Sequence, residues 1–463
     1  MSQIVTVNPA TNETIAEYEQ MGKQSVDAAV ARARRAFREW KRSYETRRGY
    51  IYNLAEYLTQ HKYELAEVAT QEMGKAIKES VGEVEKCAKT MVYYADHGDS
   101  FMADEVLNTD ARKSFLAFEP LGVIGSIMPW NFPYWQALRF AAPCLMAGNV
   151  IVMKPSRITL QSGLEMAKAF AEAGVPDGVF QSLTGSVETA NCLIDSGVSA
   201  VTFTGSTQAG ALVGQRAAGR LKKCVLELGG SDPFIVLDDA IIEDAAEGAV
   251  KGRFINCGQS CVASKRFIVG KNIASEFIER FVKNTSKLTV GDPTSMDTDI
   301  GPLSTRDGLE AISEMVEDAR SKGANVLAGG KQIGDKGCFY EPTIVTDIKS
   351  DMMIAAEETF GPVAPITVVD DEREAIKIAN DTEFGLGASI WTRDLTKAER
   401  MSRRIESGIV SVNNVVVSDP RIPFGGIKNS GFGRELSRHG MMEFVNVKSV
   451  RFYDNLTHHH YVE

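Results

Sequence analysis

The sequence predicts an α/β protein with two mostly parallel-sheet domains in series and a small β arm. Short apolar runs alternate with segments of helical periodicity after residue 122, and a second round of the same alternation begins near residue 231. Such alternation is typical of a parallel sheet covered by helices on both faces. A chain of 463 residues is also too long for one compact core, so more than one domain is expected.

Residues 24–110 are predicted to be mostly helical, because apolar residues such as Val26, Ala29, Ala33 and Phe37 recur at helical spacing. A strand, a turn and a second strand follow over residues 115–128. The rest of the first half then predicts strands at 150–154, 179–183, 200–204 and 225–228, and helices at 160–173 and 207–220.

The second half repeats this pattern. It predicts strands at 234–237, 266–269, 325–327, 344–345, 364–369 and 389–391, and helices at 241–253, 274–285 and 309–322. Residues 447–453 read as a final strand with little sequence left to pair with locally. Such a strand could complete a sheet elsewhere, including one on a neighbouring subunit.

Composition and charge argue against several classes of function. The net charge of −10 disfavours nucleic-acid binding, which needs concentrated Lys and Arg. No apolar stretch approaches the roughly 18 residues of a membrane span, and the first residues do not resemble a signal peptide. The seven cysteines are scattered, without CxxC or Cys/His spacing, so no metal site is expected and a reducing cytoplasm is the natural location.

A thiol and a carboxylate are the candidate reactive groups. Cys261 ends the segment Asn256–Cys261, and Glu227 lies in Leu226–Gly230, each among small residues that leave room for a ligand. A thiol can attack a carbonyl carbon covalently, and a carboxylate can activate the water that later releases the product.

A glycine-containing turn is a candidate anion site. Gly205 to Gly210 has the glycine spacing of a phosphate loop, but Ala211 and Leu212 replace the Lys-Ser/Thr pair that such a loop requires. The turn follows a predicted strand and opens a helix, so free N–H groups could meet an anion there. A simple helix cap on Ser206 or Thr207 explains the turn equally well.

Seven motifs then fall in the order found in one enzyme family. They are Met128–Pro133, Lys154–Ser156, Phe203–Thr207, Leu226–Gly230, Gly258–Cys261, Glu357–Val363 and Pro423–Gly431. On these motifs the chain resembles the NAD(P)-dependent aldehyde dehydrogenases over nearly its whole length. Among them it is nearest to the succinate-semialdehyde and glyceraldehyde types. The resemblance implies two Rossmann-like domains in series and a small β oligomerisation arm.

The resemblance implies three catalytic roles. Cys261 would attack the aldehyde as a thiolate, since the neutral thiol is a poor nucleophile. The Asn131 side chain and the Cys261 backbone N–H would stabilise the resulting oxyanion. Glu227 would activate water to hydrolyse the thioester and release a carboxylic acid.

The cofactor residues carry over in the same way. Lys154 would bind the adenosine ribose, Glu358 the nicotinamide ribose, and Phe360 would pack beside the nicotinamide. Gly205, Ser206 and the helix after them would meet the pyrophosphate, with Leu228 nearby. The cofactor channel would be lined by Ile127, Met128, Pro129 and Trp130.

One departure from the NAD-preferring pattern concerns the cofactor's 2′ position. Relatives that prefer NAD commonly have a Glu three residues after the motif lysine, where this chain has Arg157 preceded by Ser156. A Glu would repel a 2′-phosphate, whereas Ser and Arg would attract it. The sequence therefore predicts NADP as the preferred cofactor, with NAD as a weaker one. An Arg157 that only points into solvent is the alternative.

The substrate is predicted less sharply. Arg139 stands where succinate-semialdehyde dehydrogenases have an Arg that binds the substrate carboxylate, but their second Arg is replaced by Ile255. Trp135 and Ser418 are further candidate pocket residues. Glyceraldehyde, lactaldehyde and succinate semialdehyde are all consistent with this set.

Three rival functions stay open. A dehydrogenase that passes the acyl group to coenzyme A would not need Glu227, and an acyl-phosphate reductase would not be expected to combine Glu227 with Asn131. A catalytically inactive structural relative would be expected to have lost Cys261 or Glu227.

The resemblance also implies a domain division and an assembly. Residues 1–110 and 124–229 would form the cofactor-binding domain and 230–430 the catalytic domain. Residues 111–123 and 444–463 would form the oligomerisation arm. A homodimer or homotetramer is expected, and a small aldehyde is the expected partner.

Overall fold

The computed structural model describes residues 3–454. The strands are β1 (Gln3–Val7), β2 (Thr14–Glu19), β3 (Glu105–Leu107), β4 (Lys113–Pro120), β5 (Val123–Ile127), β6 (Val150–Lys154), β7 (Phe180–Ser182), β8 (Ala200–Thr204), β9 (Lys223–Glu227), β10 (Asp232–Val236), β11 (Ser264–Gly270), β12 (Asn325–Ala328), β13 (Thr343–Thr346), β14 (Val363–Val369), β15 (Gly387–Trp391), β16 (Ile409–Val412), β17 (Gly431–Phe432) and β18 (Val445–Phe452).

Helices connect most of these strands. They are α1 (Lys23–Trp40), α2 (Tyr44–Gln60), α3 (Lys62–Met73), α4 (Ile77–Met102), α5 (Pro133–Met146), α6 (Leu160–Glu172), α7 (Val187–Asp195), α8 (Thr207–Ala218), α9 (Ile242–Phe254), α10 (Ala274–Thr285), α11 (Arg306–Ser321), α12 (Met353–Ala356), α13 (Glu372–Asn380), α14 (Leu395–Ser402) and α15 (Ser437–Met442). Short 3-10 turns cover Ile255–Gly258 and Lys428–Ser430.

Two large sheets form the body of the molecule. The first has the strand order β17-β9-β8-β5-β6-β7, in which only β17 runs antiparallel to its neighbour. The second has the order β12-β13-β14-β11-β10-β15-β16, in which only the β12–β13 pair is antiparallel. These two parallel sheets with helices confirm the predicted fold class.

The centre of the first sheet is buried on both faces. Every residue of β5, β6 and β8 is buried, as expected for parallel strands between helix layers. All fourteen residues of α5 are buried as well, and Pro133 occupies its first turn, where a missing N–H leaves no bond unmade. This helix therefore carries Trp135, Gln136 and Arg139 into the interior.

The final strand completes a sheet elsewhere in the same chain. β18 pairs antiparallel with β4, from Val445 opposite Pro120 to Phe452 opposite Lys113. β4 lies far away in sequence, so the sequence near the end of the chain could not identify this partner. β3 completes this three-stranded sheet, hereafter the arm sheet.

The predicted domain boundaries stay a prediction. Two short strands lie across them: β3 precedes residue 111 yet pairs with β4, and β17 follows residue 430 yet pairs with β9. Within residues 3–454, no helix is both long and apolar enough to cross a membrane. The part of the predicted arm after residue 454 lies outside the described residues.

Candidate active site

The thiol of Cys261 is positioned by a tight loop that follows α9. In the 3-10 turn Ile255–Gly258, Asn256 and Cys257 have positive φ angles of 50° and 54°. Gly258 also has φ of 72°, and a Cβ there would collide with the Gly361 carbonyl. The turn therefore needs glycine at this position, and an unusual backbone precedes Cys261.

Buried side chains hold this loop from behind. Arg253 is completely buried and donates to the carbonyl oxygens of Gly258 at 2.8 Å, Ser264 at 3.0 Å and Thr359 at 3.3 Å. Asn256 Nδ2 donates to the Asn131 carbonyl at 2.8 Å. The loop is thus tied both to β11 and to the segment that carries Asn131.

Burial governs the acidity of the Cys261 thiol. It raises the pKa of Cys261 to about 11, against which the positive charges of Arg139 and Lys265 act to lower it. Lys265 is fully buried, and its Nζ donates to the Cys261 carbonyl at 2.7 Å and pairs with Glu358 at 3.0 Å. Two cations therefore stand near the sulfur where a thiolate would form.

Cys261 lies where two cavities meet. The first cavity, of about 300 Å³, is lined by Cys261, Phe132, Trp135, Gln136, Arg139, Ser418 and other residues. The second cavity, also about 300 Å³, is lined by Cys261, Gln136, Asn131, Pro129, Trp130, Thr204, Gly205, Ser206, Leu228, Gly229, Glu358 and Phe360. One thiol can thus face two different ligands.

The amide of Asn131 lies beside the thiol loop. Its Nδ2 donates to the Gln259 carbonyl at 3.1 Å, and its buried Oδ1 has no partner among the described residues. An amide nitrogen has two hydrogens, so one donor is left for a ligand oxygen. Asn131 therefore has the free N–H that an oxyanion would require.

Glu227 ends β9 in a fully enclosed place. A Cβ on Gly425 would lie 2.6 Å from Glu227 Oε1, so only glycine leaves room for this carboxyl group. Burial first, and the nearby Glu435 second, raise the pKa of Glu227 well above its usual range, while Arg139 and Arg434 lower it. A carboxylate with a raised pKa is a stronger base toward water.

Arg139 has an internal partner. It is buried, its Nε pairs with Glu435, and its guanidinium lies 4.4 Å from the centre of the Phe424 ring. Its Nη2 has no hydrogen-bond partner among the described residues, although the side chain lines the first cavity. The Nη2 group of Arg139 can therefore still donate a hydrogen bond to a ligand.

The second cavity contains most of the predicted nicotinamide-side residues. Ser206 caps α8 by accepting the Ala209 N–H at 3.4 Å, which is the capping role that the sequence had left open. Glu358 accepts the Gly230 N–H at 3.1 Å. Phe360 packs edge-on against Trp130 with ring centres 5.8 Å apart.

A third cavity of about 980 Å³ continues along the first sheet. Ile127, Lys154 and Phe203 line it. Burial, and then the charge of Arg157, lower the pKa of Lys154 to about 8, and no acceptor in the described chain bonds its Nζ. A buried ammonium group without a partner fits a ligand hydroxyl, which suits the ribose of a dinucleotide.

The remaining predicted residues lie outside these three cavities. Met128 is buried, and its backbone N–H donates to the Lys154 carbonyl at 3.1 Å. Ser156 Oγ accepts the Ile158 N–H at 3.3 Å, and Arg157 is exposed. Glu227 also lines none of them, because it is enclosed behind the first cavity.

Several residues near the site were missed from the sequence. Lys86, Gln136, Lys265 and Glu435 come from α4, α5, β11 and the loop after β17, and they meet only through folding. For Lys265, the spacing of four residues from Cys261 was an available signal. No group of His, Cys, Asp and Glu within residues 3–454 could hold a metal ion.

Known proteins match this chain closely. The model of the aldehyde dehydrogenase family matches residues 1–450. A Mycobacterium tuberculosis protein named succinate-semialdehyde dehydrogenase (NADP(+)) 1 is 46% identical over 454 residues, covering 96% of this chain and 99% of that protein. A protein of the same type from Mycobacterium avium is 44% identical over 455 residues, covering 96% of each chain.

A solved structure of a similarly named enzyme also matches this chain. The succinic semialdehyde dehydrogenase from Streptococcus pyogenes, in complex with NADP+ as the cofactor, superposes with a TM-score of 0.95 at 35% identity. The match covers 97% of this chain and 100% of that one. This chain belongs to the aldehyde dehydrogenase family.

Proposed function

We propose that this enzyme oxidises succinate semialdehyde to succinate with NADP+. Relatives that match it over nearly their whole length are named for this substrate and cofactor. The observation that carries the proposal is the single thiol, Cys261, at the meeting point of two cavities, one of which contains Arg139.

The chain's own residues supply the covalent steps. Cys261 attacks the aldehyde carbon, and the oxygen that gains the electron pair accepts hydrogen bonds from Asn131 Nδ2 and the Cys261 backbone N–H. Bound NADP+ supplies the hydride acceptor for oxidation to the thioester. Glu227 removes a proton from water, which attacks the thioester, and the thiol leaves as the acid forms.

The cofactor would lie along the second and third cavities. We propose Glu358 and Phe360 for the nicotinamide half and Lys154 for the adenosine ribose. Ser156 and Arg157 would bind the 2′-phosphate, because a guanidinium and a hydroxyl both donate to phosphate oxygens.

A substrate comparison tests the function. The purified enzyme is assayed for NADPH formation with succinate semialdehyde and with butyraldehyde, which has the same carbon chain but no carboxylate. We expect higher kcat/KM for succinate semialdehyde, and for NADP+ over NAD+. A preference for butyraldehyde, or for NAD+, would contradict the proposal.

Two variants test the chemistry. Cys261→Ser is expected to lower kcat by at least about a thousandfold, while Cys192→Ser, at a residue that lines none of the three cavities, leaves it unchanged. Glu227→Gln should still give one rapid turnover of NADPH and then stall at the thioester. Coenzyme A is then added to Glu227→Gln to test the acylating alternative. Renewed turnover with acyl-coenzyme A as the product would favour a coenzyme A-acylating dehydrogenase.

We also propose a homodimer or homotetramer that uses the arm sheet. Val106, Leu107, Val447 and Phe452 in this sheet have exposed fractions of 77%, 39%, 52% and 51%. Apolar side chains gathered on a small sheet with two free edges are typical of an interface. The seven free thiols favour a reducing cytoplasm as the location, which fractionation of the source cells would test.

A further inference from the structure

We propose that Lys86 is a substrate-binding residue that pairs with Arg139 to hold the terminal carboxylate of the aldehyde in the first cavity. Lys86 lies on α4, forty-five residues before Asn131 and outside every motif of the sequence. The inference rests on the proposed function, because it gives that substrate's carboxylate a second cationic partner.

Lys86 is fixed at the wall of the first cavity. Its Nζ donates to Ser418 Oγ at 2.7 Å and lies 4.1 Å from the centre of the Trp135 ring. All three residues line the cavity. A lysine has three N–H donors, and Ser418 is the one hydrogen-bond acceptor that the described residues offer this Nζ. Donor capacity therefore remains for a ligand.

The two carboxylates of the same cavity wall are already bonded elsewhere. Glu83 pairs with the buried Lys75 and accepts the backbone N–H groups of Tyr134 at 2.8 Å and Trp135 at 2.7 Å. Glu79 accepts the Asn256 N–H at 3.1 Å with each oxygen. Neither carboxylate pairs directly with Lys86.

Arg139 is a second cation in the lining of this cavity, and it also has an open donor. Its Nε is bonded to Glu435, but its Nη2 has no partner, and its charge lowers the pKa of Lys86, so the two cations act on each other. Two cations with open donors beside one cavity attract an anion, which would relieve their mutual repulsion.

The rest of the cavity fits a short carbon chain. Phe132, Val415, Val416 and Phe424 supply apolar walls, and Cys261 supplies the reactive group. A ligand that places its aldehyde carbon at Cys261 and its carboxylate at Lys86 and Arg139 would contact both the thiol and the two cations of the cavity. Its chemical class is a short ω-oxo acid, of which succinate semialdehyde is one member.

Replacement of the charge tests this assignment. Lys86→Met keeps the chain length and the contact with Trp135 but removes the ammonium group. We expect KM for succinate semialdehyde to rise by about tenfold or more, the loss typical of a charged hydrogen bond, while the kinetics with butyraldehyde stay at wild-type values. Lys89→Met, an exposed lysine on the same helix, is the matched control and should change neither substrate.

The outcomes separate the two proposals. If wild-type enzyme prefers butyraldehyde, the proposed function fails. If wild-type prefers succinate semialdehyde but Lys86→Met alters both substrates equally, or neither, then Lys86 is structural and this inference is overturned. Lys86→Arg should recover a low KM even where Lys86→Met folds poorly. Succinate, as a product inhibitor, should also bind at least about tenfold more weakly to Lys86→Met than to wild-type.

Discussion

Burial raises the pKa of both reactive side chains. The pKa of the Cys261 thiol is raised to about 11, and the pKa of Glu227 is raised well above its usual range. Both groups work in the deprotonated form. The deprotonated fraction of each group therefore grows as the pH rises.

We accordingly expect kcat/KM for butyraldehyde to rise with pH from neutral towards the alkaline range. Raised pKa values mean that each unit of pH increases the deprotonated fraction of Cys261 until the pH approaches about 11. The pH dependence of iodoacetamide labelling of Cys261 gives the same quantity without turnover. A profile that is flat between pH 6 and pH 9 would contradict this expectation.

Succinate semialdehyde should show a different profile. Burial first and the charge of Arg139 second lower the pKa of Lys86 to about 8, although Cys87, Asp419 and Glu83 act to raise it. Lys251 and Glu79 are the other charged groups of the cavity. As pH rises through about 8, Lys86 loses its charge, so KM for this substrate should increase while KM for butyraldehyde does not. Lys86→Met should abolish the difference.

Arg157 determines the cofactor prediction. Arg157→Glu places a carboxylate where the 2′-phosphate would lie, so kcat/KM for NADP+ should fall by about tenfold or more through lost hydrogen bonds and repulsion. Kinetics with NAD+ should improve or stay unchanged. Arg393→Glu, at an exposed arginine in the loop between β15 and α14, is the control. An unaltered ratio would show that Arg157 points into solvent.

At the scale of elements, the nucleophile loop depends on Arg253. Arg253→Met would leave the carbonyls of Gly258, Ser264 and Thr359 without their buried donor. Each unsatisfied buried group costs about 1–3 kcal/mol, so a clear fall in the thermal midpoint and loss of activity are expected. Differential scanning calorimetry measures the first effect.

The control for that experiment is Arg280→Met. Arg280 lies on α10 and pairs with Glu243 and Glu276 at the surface, where ion pairs contribute little. The thermal midpoint of Arg280→Met should match that of the wild-type enzyme. Equal midpoints for both variants would show that the Arg253 bonds are not needed for the loop.

The elements show what sequence patterns can and cannot predict. The predicted helix 274–285 matches α10 residue for residue, because its apolar positions repeat at helical spacing. The hairpin β1–β2 and the strand β16 were not predicted, since neither has a long apolar run. Asn256 and Cys257 have positive φ angles, and the Asn256 N–H bonds Glu79, a partner far away in sequence that no local pattern predicts.

The same reason limits prediction of the site. Cys261, Glu227 and Asn131 were identified because each lies in a contiguous motif of the family. Lys86 and Glu435 lie outside those motifs, and only folding brings them to Arg139. The sequence therefore left three aldehydes open as substrates, whereas it favoured oxidation of an aldehyde to its acid over the rival functions.

At the scale of the whole molecule, the arm sheet is expected to form the assembly. Val447→Asp introduces a charge at an exposed apolar side chain of this sheet, so the oligomer should dissociate to smaller species. Size-exclusion chromatography with light scattering measures the mass. The control is Leu221→Asp, because Leu221 lies outside the arm sheet and its side chain is 97% exposed. This variant should keep the wild-type mass. An unchanged mass for Val447→Asp would place the interface on another surface.

The position of Cys261 between two cavities has a consequence for inhibition. A compound in the first cavity and a compound in the second each reach the sulfur from their own side, so one does not have to exclude the other. Aldehyde-shaped alkylating agents should thus inactivate the enzyme even when the cofactor is saturating. The sulfur forms a covalent bond to only one such agent, so a second inhibitor would bind its own cavity without reacting, and a molecule that spans the sulfur would occupy both cavities at once.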